Sequence, residues 1–319
     1  MIRLSRARTV LAAIGAASAL TACGAVPTPT SRSPAGVSSS PAPSPTGTSP
    51  SLSPTTPGSS TVPTSLGSDP ASATTTPGPT GGAYQCVTTS PHGHCPFPGY
   101  AQVTGTTSDP YVDQDMWAAQ PGQTQTLSAN SPGDWQVVSN TPAGHGGSVT
   151  TFPDTGAAFN EARLSSYSSI TSSFSETMPH NARTSAWAAY DLWFNKWNDE
   201  VMIQNDFTSQ GPCTYAAVAQ FGGSNGVPVQ SWGLCTFGSE RVWQLVANGT
   251  KAGDSGATIN EPSGSVDIKA MVQWLENSSA PDALPANSTI TGLSYGWEIC
   301  STGGQPETFQ VTGYSLNAK

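Results

Sequence analysis

Two short stretches place carboxylates where a β-strand would normally carry apolar side chains. The first, AYDLWFNKWNDEVMIQNDF (residues 189–207), holds Asp191 in one apolar arm and Glu200 at the head of the next. The second, LSYGWEIC (residues 293–300), holds Glu298. Acids are depleted in strands and costly to bury unpaired. Read as a hairpin that turns at Asn195–Lys196, the first stretch sets Asp191 directly across from Glu200. Strand alternation then gathers Ala189, Asp191, Trp193, Glu200, Met202 and Gln204 on one face. Tyr190, Leu192, Phe194, Val201 and Ile203 share the other, which reads as a core face. Like charges directly opposed destabilise a sheet, but in a cleft one acid can keep its proton and hydrogen-bond the other. The alternative is a different turn, with both acids reaching solvent. In the second stretch Gly296, Glu298 and Cys300 share a face opposite Trp297 and Ile299. Carboxylates from distant strands that converge over a concave sheet suit acid–base and nucleophilic attack at a glycosidic bond.

The elements that must position these acids are mostly strands. DWQVVSN, TSAWAAYDLWF, EVMIQNDF, RVWQLVAN and ETFQVTGYSL alternate and are separated by Gly, Pro, Asn and Asp. That pattern predicts an all-β sandwich of two antiparallel sheets. VDIKAMVQWLEN alone has helical period, with Ile268, Met271, Val272 and Leu275 at i, i+3, i+4 and i+7. Ser265 is the expected N-cap, with Asp267 in the first turn.

This folded part is expected over residues 83–319. All nine Trp, eight Tyr and nine Phe fall there. With seven basic and 19 acidic residues its net charge is −12, against −9 for the whole chain. That argues against nucleic acid or an anionic membrane surface as partner and suits a neutral one. No second linker is visible, so one domain, working as a monomer, is expected.

Residues 1–23 read as a secretory signal, with Arg3, Arg6 and Arg8 before an apolar run too short for a confident membrane span. Its end, Leu20-Thr21-Ala22-Cys23, resembles a bacterial lipoprotein signal, in which Cys23 is lipidated; the alternative is an ordinary signal peptide. Residues 24–82 are mostly Pro, Ser, Thr, Gly and Ala, with no aromatic residue and a single acid, Asp69, and form an expected tether without a core. The chain is therefore expected to be exported and held at the outer face of a bacterial membrane by its lipid alone, or secreted if the anchor is not used.

Exported domains keep disulfides. Cys86–Cys95 and Cys213–Cys235 are expected to pair, which leaves Cys300 over. A metal site in CVTTSPHGHC, using His92, His94 and both cysteines, is the alternative, though its spacing is not a usual zinc arrangement.

The order of these segments resembles glycoside hydrolase family 12, the small jelly-roll endoglucanases and xyloglucanases. AYDLWF is similar to the family strand with an assisting Asp, EVMI to its Glu-x-Met-Ile strand, and LSYGWEICSTGG with TFQVTGYSLN to its C-terminal strands. VDQDMWA, SSYSSI and VDIKAMVQWL follow the family order too. The resemblance implies a jelly-roll sandwich with one concave face and a single outer helix. It implies Glu200 as nucleophile, Glu298 as general acid/base and Asp191 as the partner that tunes Glu200. Trp117 would stack on a sugar ring and Met202 would line the cleft. The implied reaction is hydrolysis of a β-1,4-glucan with retention, needing no cofactor and no metal. Retention sets the two carboxyl groups about 5–5.5 Å apart. Four features depart from the pattern: Gln204 stands where the family has Trp, Asp115 where it has Asn, the hairpin between Asp191 and Glu200 is shorter than is common in the family, and Cys300 on the face of Glu298 is unusual.

A carbohydrate-binding protein without activity could use the same fold. A serine esterase is a weaker rival. GGSNG (residues 222–226) matches a nucleophile elbow, and GHGG (residues 144–147) an oxyanion loop. The elbow needs a helix after Ser224, and a strand-like run follows instead. His145 and His180 read as surface or loop residues, and Trp232 as core or cleft.

Overall fold

The structure, a computed structural model, describes residues 84–142, 148–208, 215–237, 240–245, 260–278 and 283–319. The expected signal, Cys23, the tether, His145, the GHGG segment and Cys213 lie outside the described residues. In chain order the strands are β1 (Cys86–Thr88), β2 (His94–Pro96), β3 (Val103–Thr104), β4 (Tyr111–Asp113), β5 (Thr124–Ser131), β6 (Asp134–Asn140), β7 (Asp154–Arg163) and β8 (Ile170–Thr177). They continue with β9 (Ser185–Phe194), β10 (Asp199–Phe207), β11 (Ala217–Phe221), β12 (Gln230–Phe237), β13 (Glu240–Leu245) and β14 (Ser263–Asp267). The helix α1 (Ile268–Asn277) and the strands β15 (Thr289–Ser301) and β16 (Glu307–Ala318) complete the fold.

The strands form two sheets, as expected. A seven-stranded sheet runs β1-β5-β6-β16-β8-β14, with β3 beside β16. A nine-stranded sheet runs β11-β12-β13-β10-β9-β15-β7-β4-β2. Only β10–β13 and β3–β16 pair in parallel among the described ladders. The core face read from the sequence is the observed one: Tyr190, Leu192, Phe194, Val201 and Ile203 are all fully buried. They meet Trp135, Val137, Phe309 and Val311 from the other sheet in one apolar cluster. Trp135 of β6 packs edge-on against Trp297 of β15 at 4.9 Å between ring centres, tying the two sheets together.

Helix α1 buries Ile268, Met271, Val272 and Leu275, the four residues its period singled out. Its cap differs from expectation. Asp267 accepts a hydrogen bond from Ala270 N at 3.0 Å and is the N-cap. Ser265 instead sits in β14, paired with Ser173 of β8, so the ladder claims the residue that would have capped.

Cys86 and Cys95 form a disulfide. Both thiols are thereby withdrawn from metal ligation, which removes the zinc alternative for that segment. Cys235 and Cys300 are both disulfide-bonded too. Cys300 is thus not the leftover thiol that sequence pairing suggested, because pairing by shortest loop ignores which strands the fold brings together.

Ser224 lies in the turn between the antiparallel strands β11 and β12. Its neighbours Gly222, Gly223, Asn225 and Gly226 all have positive φ, as a tight hairpin tip requires. Its hydroxyl donates to Asp267 Oδ2 at 3.3 Å. With strand on both sides, this is not a nucleophile elbow.

Candidate active site

The three acids sit on the face of the nine-stranded sheet turned away from the core. On β9 that face carries Trp187, Ala189, Asp191 and Trp193. The ladders fix their neighbours. Trp193 lies between Glu200 of β10 and Gly292 of β15, and Asp191 between Met202 and Ser294. Ala189 lies between Gln204 and Gly296, and Trp187 between Phe207 and Glu298.

Sequence alternation therefore assigned the face correctly and the register incorrectly. Asp191 faces Met202, not Glu200; Glu200 is its diagonal neighbour, about 7 Å away at Cβ by ordinary sheet geometry. The reason is the turn. It spans four residues, 195–198, with Asn195, Lys196 and Trp197 at φ 52, 60 and 68. Asn195 N donates to Thr289 O at 2.8 Å, and Lys196 N to Thr291 Oγ1 at 3.0 Å. Asn195 Nδ2 reaches Asp199 Oδ2 at 2.9 Å. The longer turn slides β10 by two residues, and an even slide leaves every side chain on its own face.

The same register separates the two glutamates. Glu200 belongs to the row of Trp193 and Glu298 to the row of Trp187, six residues along β9. At about 3.3 Å per residue that is roughly 20 Å along the strand, on strands that flank β9 on opposite sides. Two glutamate side chains cannot span it. The 5–5.5 Å pair that retention needs is not formed by Glu200 and Glu298 in this arrangement.

Each acid has a distinct environment. Glu298 is buried, and its Oε2 accepts a hydrogen bond from Trp187 Nε1. Asp191 is half-buried and accepts from Trp193 Nε1 at 2.7 Å. Met202 and Gln204 are both buried, and Gln204 Oε1 accepts from Gln244 Nε2 at 3.1 Å. Met202 joins Trp187, Ala189, Val242, Cys235 and Cys300 in an apolar cluster separate from the main core. Trp117 follows β4 rather than lying on a strand, and is 40 % exposed. Trp232 belongs to the core.

One group of acids escaped the sequence reading. Asp154 of β7 lies directly across from Asp113 of β4 and, on its other side, from Gly296. The directly opposed acid pair expected at Asp191 and Glu200 thus occurs at Asp113 and Asp154. Burial pushes the Asp154 carboxyl well above the usual carboxylate range, and the charges of Asp113, Asp115 and Asp191 push it further; Ser294 pulls it partly back. Asp115, where the family resemblance leads one to expect Asn, is raised to about 7 by burial and then by Asp113. The signal was weak, because Phe-Pro-Asp-Thr-Gly reads as a turn. His180 also has a partner: its Nε2 lies 2.8 Å from Asp206 Oδ1.

Comparison with solved structures gives the fold a family. The xyloglucanase domain of NopAA, a type three effector from Sinorhizobium fredii, solved with cellobiose, matches with TM-score 0.54 at 23 % identity, over 74 % of this chain and 99 % of that one. A family 12 xyloglucanase from Bacillus licheniformis matches with TM-score 0.55 at 19 % identity, over 73 % of this chain and 100 % of that one. Endoglucanase 3 of Trichoderma harzianum, from the same family, gives 0.52 at 17 % identity, over 73 % of this chain and 97 % of that one. No family model matches the sequence, and no curated protein matches it. The described domain is therefore a jelly-roll sandwich with the fold of the family 12 glycoside hydrolases.

Proposed function

We propose that the protein is a glycoside hydrolase that cleaves a β-1,4-glucan-type polysaccharide on the outer face of its nine-stranded sheet. The observation that carries this reading is the placement of Asp191, Glu200 and Glu298 on one face, in a fold shared with xyloglucanases and endoglucanases. In this reading Glu200 is the nucleophile, its diagonal neighbour Asp191 tunes it, and the buried Glu298 donates the proton to the leaving oxygen. Water then releases the glycosyl-enzyme, with Glu298 acting as base. In the observed ladders the two carboxylates stand six rows apart along β9, so these roles rest on the family resemblance and not on the register. The net charge of −12 on residues 83–319 suits a neutral glycan.

The row offset between Glu200 and Glu298 favours a second reading. On the same fold, a carbohydrate-binding protein would use these carboxylates only to accept hydrogen bonds from sugar hydroxyls. Incubation with xyloglucan, mixed-linkage β-glucan and carboxymethylcellulose separates the two. New reducing ends support the hydrolase; retention on the polysaccharide without new ends supports the binder. In either case the chain is proposed to be exported and tethered through a lipid on Cys23. Among the described residues no helix is long and apolar enough to cross a membrane.

A further inference from the structure

Gln204 takes the place of an aromatic residue expected on the glycan-facing side, and it cannot serve as a stacking surface, being fully buried and bonded to Gln244. An aromatic surface does exist on that face, at the other end of β9. Trp193 of β9 and Trp197 of the following turn lie with ring centres 5.7 Å apart and planes inclined at 50°. We propose that this pair is a sugar-stacking platform that holds a glucosyl unit of a neutral β-glucan beside Asp191 and Glu200, a subsite that rests on the glycan-active reading above.

Three features build the platform. Trp197 has φ 68, a left-handed backbone that costs a bulky residue energy and is kept only where the surroundings impose it. The run of left-handed residues leaves its indole near the sheet, beside Trp193 and Gly292. Beneath it lies Gly292, the residue across from Trp193 on β15. A Cβ on Gly292 would meet Trp197 Cη2 at 3.4 Å, an ordinary van der Waals contact, so the edge of the ring lies against the sheet at this residue. Trp193 is held from below by its hydrogen bond to Asp191, which fixes the ring that Trp197 leans on. Even so, Trp197 remains 59 % exposed. A ring so anchored, yet left open, has surface to offer a ligand at little ordering cost.

The chemistry around it selects the ligand. Glu200 faces Trp193 across the β9–β10 ladder, and Asp191 is bonded to its indole. Aromatic faces pack against the C–H faces of a pyranose ring while carboxylates accept from its hydroxyls. The same two acids repel anionic polymers. An uncharged β-linked glucan meets both demands.

The test uses the full chain and its Trp197→Ala and Trp197→Phe variants, run by affinity electrophoresis through gels containing xyloglucan or mixed-linkage β-glucan. The Trp197→Ala variant is expected to lose roughly tenfold in affinity, about 1.4 kcal/mol, and Trp197→Phe to keep most of it. Thermal midpoints should match the wild type, since the ring is largely exposed. Equal retardation of wild type and Trp197→Ala overturns the platform while leaving the glycan-active reading intact. A wild type that neither binds nor cleaves any of these glucans overturns both. A fall in affinity that comes with a lowered midpoint, and that Trp197→Phe does not restore, marks a structural role and also overturns the platform.

Discussion

Glu298 accepts a hydrogen bond from the indole N–H of Trp187, the residue directly across from it in the β9–β15 ladder. Both side chains are buried. The carboxyl is thus fixed by its own cross-strand neighbour, and the indole gains the acceptor that a buried N–H requires.

That contact separates a catalytic role from a structural one. Glu298→Gln keeps an acceptor for Trp187 and should leave stability within about 1 kcal/mol of wild type, whereas Glu298→Ala leaves a buried donor unmet and should cost about 1–3 kcal/mol. Hydrolysis should fall at least about a hundredfold in both. Denaturant titration and a reducing-end assay on the same samples check this; a Gln variant with wild-type turnover would remove Glu298 from the mechanism.

Stability should fall as pH rises from about 4.5 to about 9. Glu176 lies in the core, raised from 4.5 to about 9 by burial first and then by its neighbour Asp206; Trp297 Nε1 donates to it at 3.3 Å. Between those pH values the native state holds a proton that the unfolded chain has released, so unfolding is favoured by raising pH. Buried Asp154 adds to the effect with the same sign. Urea titrations at pH 5, 7 and 8.5 should show a steady loss, and Glu176→Gln should flatten it. A stability that rises over this range would contradict the protonated core acid.

The α1 cap gives a sharper local test. Asp267→Ala should cost about 1 kcal/mol, because Asp267 is the N-cap acceptor for Ala270 N. Ser265→Ala, in a strand, should cost less than half of that. The reverse order would restore Ser265 as the cap.

Closing a loop of nine residues in sequence separation, the Cys86–Cys95 bridge should contribute about 2–3 kcal/mol through the unfolded chain. Cys86→Ser with Cys95→Ser should lower the thermal midpoint accordingly. An unchanged midpoint would mean that this edge of the domain is already loose at equilibrium.

The faces of β9, β10 and β15 around the three acids were legible because a strand repeats every two residues and the longer turn slides β10 by an even number; only at the bulges, as between Gln204 and Asp206, does the parity change. The four apolar positions of α1 were legible for the same kind of reason. Register was not. It depends on whether Asn195 begins a turn of two residues or four, and that was decided by its bonds to Thr289 and Asp199, one of them nearly a hundred residues away. Asp154 was hidden because its neighbours Asp113 and Gly296 come from distant strands. Cys300 was misjudged for want of the same long-range information.

The central claim is that the outer-face carboxylates break a glucan. Its most direct test is the release of new reducing ends from xyloglucan and β-1,4-glucan by the wild-type chain and by Glu200→Gln, both verified as folded. The account predicts steady release by the wild type and at least about a hundredfold less by the variant. Equal release by the two, or none by the wild type on any of these polymers, would contradict it.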